Sequence, residues 1–300
     1  RVSILRKGLY IDTVKTAEAT VESLTEMMVG AKVELNIDRP EPVNPVKRLE
    51  LKNVTCKDIN EVVTLDHADL TVYGGEILGI AGISGGGQKE LLEAIAGLQP
   101  VESGTIAYME PDGTKEMLIG KDPLKIAEMG VSLSFVPEDR LGMGLVGNMD
   151  LTDNMMLRSF RKGKTPFVNR KPARELAEHV VESLEVVTPG IHTPVRRLSG
   201  GNVQKVLLGR EIASSPTVLL TAYAVRGLDI NSSYTIYDLL NEQKKKGVAV
   251  IFVGEDLDVL VELSDRIMVL CHGKITGILD ARTATKEQIG MLMTGDTEDA

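Results

Sequence analysis

The sequence predicts an α/β fold with a parallel-sheet core, extended by an antiparallel β subdomain and a helical subdomain. Strands and helices alternate from Glu76 onward, and one buried strand runs through a glycine loop directly into an amphipathic helix. Before Glu76, apolar and polar residues alternate with the two-residue period of half-buried strands.

Taken in order, Leu49–Val54 and Ala68–Val72 alternate as edge strands would. Glu76–Ala81 (EILGIA) reads as a buried strand, Gly82–Gly87 as a loop and Gln88–Gly97 as a helix. Val131–Val136 is a further strand, and Asn169–Val186 a long helix within a helical stretch at 150–200. Asn202–Ala213 is a helix, Val218–Leu220 a buried strand, Asn231–Lys246 a helix and Val248–Val253 a strand. Lys244, Lys245 and Lys246 followed by Gly247 suit a helix C-terminus, where cations meet the dipole and glycine takes the left-handed cap.

An ungapped repeat organises the chain. Arg1–Gly30 matches Arg266–Gly295, with Arg1, Leu5, Gly8, Ala19, Thr20, Glu22, Met28 and Gly30 recurring as Arg266, Leu270, Gly273, Ala284, Thr285, Glu287, Met293 and Gly295. Each copy reads as strand, glycine turn, strand and a short helix capped by threonine. The duplication implies that residues 1–30 are the tail of an earlier copy of the domain. Residues 31–46 then read as a linker, because Pro40, Pro42 and Pro45 favour extended backbone and remove donors. A second, complete domain is expected over 47–295, with an acidic, solvated tail at 296–300. The chain opens at Arg1 inside an apparent strand, which suggests a piece of a longer protein.

Composition narrows the function. The 300 residues are 43% hydrophobic, enough for a sizeable core. A formal charge of -9, an aromatic content of 3% and the absence of Trp argue against nucleic acid as a partner. Cys56 and Cys271 have neither metal nor redox spacing, which favours a reducing, intracellular compartment. No signal peptide is evident, and no apolar run reaches the roughly 18 residues that span a bilayer. His67, His179, His192 and His272 are scattered, and no metal or catalytic role is assigned to them.

The glycine loop has the frame of a phosphate-binding loop without its chemistry. That motif reads G-x-x-x-x-G-K-[ST] between a strand and a helix. Here the residues are Gly82, Ile83, Ser84, Gly85, Gly86, Gly87, Gln88 and Lys89. Both framing glycines are present, but Gln88 stands at the lysine position and Lys89 at the position of the Mg²⁺-binding hydroxyl. Lys89 does not restore the charge, because one helical step turns a side chain by about 100°. A purely structural glycine turn is an alternative; a dinucleotide fingerprint is not, since the spacing is not G-x-G-x-x-G.

A second motif, Leu198-Ser199-Gly200-Gly201-Asn202, opens a helix and offers a hydroxyl and backbone N–H groups to a phosphate. Its plain alternative is a helix cap made by Ser199 or Asn202. With GEILGIAGISGGGQKELLEAIAGL, VPEDR at 136–140, TPVRRLSGGNVQK at 193–205, RGLD at 226–229 and GEDLD at 254–258, the whole chain resembles the ATP-binding subunits of bacterial simple-sugar and nucleoside ABC importers. These carry two ABC domains in one chain, and the second is commonly degenerate.

The resemblance implies a P-loop ABC ATPase fold and a site shared between domains. It places the Walker B pair at Ala222 and Tyr223, the switch histidine at Glu255 and the Q-loop glutamine at Glu138. Ala222 cannot hold Mg²⁺ through water, and Tyr223 is no general base at neutral pH. The nucleotide-binding set it implies is the loop from Gly82 to Lys89, the signature from Leu198 to Asn202, and Asp229. ABC domains pair head to tail, so this domain would give its signature, with donors from Ser199 and Gly201, to an ATP·Mg held by a first ABC domain. Its own loop would bind nucleotide weakly or not at all.

The further partners implied are a membrane permease, docked near Glu138–Val146, and indirectly an extracytoplasmic solute-binding protein. The location would then be peripheral, on the cytoplasmic face of the cell membrane. The docking stretch combines the bend points Gly142, Gly144 and Gly147 with the apolar Met143, Leu145, Val146 and Met149. Two other readings remain open at this stage: a soluble tandem ABC protein acting on ribosomes or nucleic acid, and a non-catalytic domain that senses nucleotide.

Overall fold

The computed structural model describes residues 1–6, 8–30, 36–42, 45–160 and 168–295. The expected tail at 296–300 and part of the expected linker, 31–35 and 43–44, lie outside the described residues. The chain divides into two units, Arg1–Asp38 and Arg39–Ala300.

The first unit is a hairpin and a helix. β1 (Val2–Arg6) pairs antiparallel with β2 (Leu9–Val14), with a bulge between Ile4 and Leu5. Helix α1 (Val21–Val29) is opened by a capping box: Ser23 N donates to the Thr20 hydroxyl, and Thr20 N to the Ser23 hydroxyl. Gly30 closes it at φ 86°.

The second unit opens with β3 (Val46–Lys57), β4 (Val63–Gly74), β5 (Ile77–Gly82), α2 (Gln88–Ile95), β6 (Ser103–Met109), β7 (Lys115–Met117), α3 (Pro123–Glu128) and β8 (Leu133–Val136). A wide helical turn at Arg140–Gly144 leads to α4 (Leu151–Met156), α5 (Lys171–Ser183), α6 (Gly200–Ile212) and β9 (Val218–Ala222). It ends with α7 (Ile230–Lys245), β10 (Ala249–Val253), α8 (Leu257–Leu263), β11 (Arg266–Cys271), β12 (Lys274–Asp280) and α9 (Lys286–Thr294).

Six strands form one sheet in the order β12-β11-β5-β10-β9-β8, parallel except for β12. Every residue of β9 and β10 is buried, as befits central parallel strands covered on both faces. A separate antiparallel sheet runs β4-β3-β6-β7.

One expectation changes here. The segment around Leu49–Val54 is an interior strand rather than an edge. Leu49 faces Tyr108 and Leu51 faces Ile106 across β3 and β6, a pairing that local alternation does not reveal. Arg39, within the stretch read as a linker, donates to the carbonyls of Val261 (2.9 Å) and Ser264 (2.6 Å).

The terminal elements of the second unit reproduce the first unit device for device. β11 and β12 carry a bulge between Val269 and Leu270, Thr285 and Gln288 form a capping box, and Gly295 closes α9 at φ 86°. Among the described residues, no helix is long and apolar enough to cross a membrane.

A buried ion pair pins the sheet to α7. Lys244 and Asp265, 1% and 7% exposed, lie 2.7 Å apart, and Asp265 also accepts from Ile77 N at 2.8 Å. Burial lowers the Lys244 pKa against the opposing pull of Asp265. Breaking such a pair strands a buried charge. Asp265→Asn keeps an acceptor for Ile77 yet leaves Lys244 unpaired, so stability should fall by about 3 kcal/mol. Urea unfolding should show a lower midpoint at an unchanged m-value; an unmoved midpoint would show that the pair contributes nothing net.

Candidate functional site

The parallel sheet brings the ends of β5, β8, β9 and β10 to one edge. Gln88, Glu138, Ala222, Tyr223 and Glu255 all follow or end these strands, so they converge although they are far apart in sequence.

The loop after β5 is tight. Gly86 N donates to the Ile83 carbonyl at 2.9 Å, and Gly87, at φ 106°, caps α2. Ser84 and Gly85 are exposed at its tip, and Gly85 has φ 81°. Gln88 turns inward and is 2% exposed, and its Nε2 donates to the Ile83 carbonyl at 3.1 Å. A Cβ on Gly82 would lie 2.2 Å from that nitrogen. The amide therefore fills the inside of the loop and spends a donor on the loop itself. Lys89 points outward, 68% exposed, and lies 3.8 Å from Glu93.

Ala222 and Tyr223 end β9. Tyr223 sits at φ 50° with its N–H on the Val253 carbonyl at 3.0 Å. Burial, then the nearby Glu138 and Glu255, push its phenol pKa above the usual value, so it stays protonated at neutral pH. Neither Ala222 nor Lys89 offers an oxygen ligand, so these residues do not fit an Mg²⁺ ion at this loop. Below them lies a cavity of about 330 Å³, walled by Leu92, Phe135, Ala222 and Val253 and edged by Gln88 and Glu93. The short side chain of Ala222 helps leave this space open.

Arg226 is the residue that sequence reasoning missed. Its Nη1 pairs with Glu138, its Nε lies 3.3 Å from Glu255, and its guanidinium stands 5.8 Å from the centre of the Tyr223 ring. The two carboxylates are thus joined through one cation. The signal was present in the RGLD motif, an arginine close after a strand whose neighbours end in acids.

The signature turn is built differently. Ser199 caps α6: its hydroxyl oxygen accepts from Asn202 Nδ2 at 2.9 Å, which leaves the hydroxyl hydrogen free to donate. Asn202 in turn accepts from Val187 N at 2.9 Å. Leu198 is half-buried and Gly200 exposed. Gly201 is buried, and a Cβ there would meet the Ser232 hydroxyl at 2.4 Å. A substitution at Gly201 therefore disturbs packing on α7 before it touches any ligand, and Ser199 is the cleaner probe. Asp229 caps α7; burial opposes its charge, but the Ser232 amide (3.0 Å) and hydroxyl (2.7 Å) outweigh that and lower its pKa.

In the stretch expected to dock a partner, Met143, Val146 and Met149 are exposed, as is Leu141. Leu145 is not: it is 3% exposed, because the wide turn ends there and directs it into the core.

A family model described as ABC transporter matches residues 65–221. The glucose import ATP-binding protein TsgD13 of Haloferax volcanii is 38% identical over 98% of the chain, and the guanosine import ATP-binding protein NupO of Bacillus subtilis 33% identical over 99%. The chain spans about half the length of these curated relatives, 53% and 58% respectively. Among solved structures, the dimeric post-hydrolysis state of the ATP-binding cassette MJ0796 bound to ADP and Pi superposes with a TM-score of 0.67 at 22% identity, covering 79% of this chain and all of that one. The structure of cbiO1 from Clostridium perfringens, part of the cbiONQ complex, gives 0.65 at 18%, covering 82% and 93%. The fold, the signature turn and the matched sequence together place the chain in the ABC transporter family.

Proposed function

We propose that this chain is the signature-donating part of an importer's ATP-binding subunit, and that its own phosphate loop is out of service. One contrast carries the reading: Gln88 fills the loop that should hold phosphate, while Ser199 keeps a free donor at the opposite half-site. The cargo class follows from relatives named for import of glucose, guanosine, nucleosides, xylose and ribose, so simple sugars or nucleosides are the expected solutes. A permease and a solute-binding protein are the partners such a subunit needs, and its place is the cytoplasmic face of the membrane.

ATP would be held by the loop of a facing cassette and completed by Ser199 from this one. Catalysis of phosphoryl transfer is positioning plus charge stabilisation, and this chain would contribute to it through the donors of its signature turn. The identical bulge, capping box and glycine closure in residues 1–30 and 266–295 support the view that residues 1–30 end an earlier cassette. So does Leu5, which is 67% exposed where its counterpart Leu270 is fully buried by sheet neighbours.

The chain alone should therefore release no phosphate from ATP above a buffer control. In the subunit that also carries a competent cassette, Ser199→Arg should cut turnover about a hundredfold, the scale of losing a transition-state donor. Gln88→Lys should change little, because Ala222, Tyr223 and Glu255 remain. Full turnover in the Ser199→Arg subunit would end the proposal.

The Glu138–Arg226–Glu255 bridge should hold the loops after β8 and β10 together without nucleotide. Its members are about half exposed, so its worth is small, about 1 kcal/mol or less. Arg226→Gln should accelerate amide exchange at residues 138–142 and 254–257 up to about fivefold. Exchange unchanged by the substitution would show that the bridge is ornamental.

For the permease, Met143 is the probe rather than the buried Leu145. Met143→Asp should reduce co-purification with the permease while the melting temperature holds. Undiminished co-purification would rule this surface out.

A further inference from the structure

We propose that Arg140 is a ligand-contacting residue of the half-site presented by the signature turn, placing its guanidinium on the phosphates of an ATP held by the facing cassette. This rests on the trans arrangement proposed above and adds to it a residue that neither the signature motif nor the phosphate loop contains.

The first ground is an unpaired charge. Among the described residues Arg140, like Arg39, Arg48, Arg174, Arg196 and Arg197, has no carboxylate within ion-pair distance, whereas Arg158, Arg170, Arg210, Arg226, Arg266 and Arg282 each have one. The nearest acids in sequence are engaged elsewhere. Glu138 holds Arg226, and Asp139 Oδ1 accepts from the backbone of Leu141 (3.2 Å) and Gly142 (2.7 Å). Yet Arg140 is half-buried, and burial lowers its pKa with nothing opposing the shift. A desolvated cation without a counter-ion is costly, and the cost is recovered when an anion arrives.

The second ground is position. Arg140 Nη2 donates to the Arg226 carbonyl, which fixes one edge of the guanidinium. Its Nη1 lies 3.3 Å from where a Cβ on Gly200 would stand, so the other edge faces the signature turn. Between them opens a cleft of about 500 Å³, lined by Arg140, Arg226, Leu198, Gly200 and Val203, with the acids Glu138 and Asp139 also on its wall. Beside it stand the free hydroxyl hydrogen of Ser199 and the first turn of α6, a 13-residue helix. A fixed guanidinium beside a hydroxyl donor and the positive end of a helix suits a group with several anionic oxygens. Of the anions an ABC cassette meets at its signature, the nucleotide polyphosphate has that chemistry.

The fixing bond to Arg226 also ties the two ends of the site together. The carbonyl that holds Arg140 belongs to the residue whose side chain joins Glu138 to Glu255. The bridge leaves one net negative charge on the phosphate-loop side, and the backbone carbonyl of Arg226 holds the Arg140 cation beside the signature turn.

The test is ATP hydrolysis by the subunit that carries this chain together with a competent cassette. Arg140→Gln should raise the KM for ATP about tenfold, the scale of one charge-assisted hydrogen bond, with an unchanged melting temperature. Arg140→Lys keeps the charge and should bring KM back to within about threefold of the parent. An unaltered KM in Arg140→Gln overturns the proposal. If Arg140→Gln lowers the melting temperature, Arg140→Lys decides: a recovered KM supports phosphate contact, and an equal defect shows that Arg140 only pins the turn to Arg226. Ser199→Arg run alongside separates the two ideas. If it stops turnover while Arg140→Gln does nothing, the trans arrangement stands and Arg140 has no part in it. If neither has an effect, the arrangement itself is wrong.

Discussion

The parallel register of β5, β10, β9 and β8 is the constraint on which the rest of the site depends. Ile77 pairs with Val250, Ala249 with Val218, and Val218 with Leu133, so all four strands end at the same edge. A parallel sheet covered on both faces has no solvent face to display chemistry, and its functional groups collect in the loops beyond the strand ends. That is why residues as distant as Gln88 and Tyr223 line one cavity. It also means that these residues shape one another's surroundings: the short Ala222 lines a cavity with Gln88 and Glu138, and Glu138 and Glu255 share the Arg226 cation.

The distribution of arginine charge follows from the same edge. Arg226 lies between two carboxylates and gives them most of its guanidinium. Arg140, close by, gives one N–H to a carbonyl and meets no acid. Glu138 and Arg140 stand at the start of the same turn and line the same cleft, yet Glu138 is taken by Arg226 and leaves Arg140 without a carboxylate.

Much of the fold was legible in the sequence, because its signals are local. EILGIAGISGGGQKELLEAI announces a strand, loop and helix by composition alone, and Ser199 announces its helix by cap chemistry. The offset repeat was legible for the same reason, since a glycine turn and a threonine cap are short-range devices; the matching bulges and capping boxes emerged only in the structure. What stayed hidden was long-range. The β3–β6 pairing makes β3 an interior strand, and no pattern within Leu49–Val54 reports a partner at Ser103–Met109. The Arg226–Glu138 contact spans 88 residues of sequence. The burial of Leu145 depends on how a wide helical turn ends, which hydrophobicity does not encode.

The surviving glycine frame invites a different explanation from the one its motif suggests. A side chain at Gly82 would collide with Gln88 and with the Leu270 carbonyl at 2.6 Å, and one at Gly87 would meet the Thr64 carbonyl at 2.6 Å. Gly87 also has φ 106°, where a side chain is strained whatever the space. Gly273 N donates to the Gly86 carbonyl at 3.0 Å, which ties the loop to the β11–β12 turn. These demands come from packing between the loop, β4 and β11, and they hold with or without a nucleotide. The glycines therefore testify to the fold, and only the side chains at Gln88, Lys89, Ala222 and Tyr223 testify to the chemistry. A side chain at Gly82 or Gly87 would displace Gln88, β4 or β11, so packing sets the shape of the loop whatever side chains stand at positions 88 and 89.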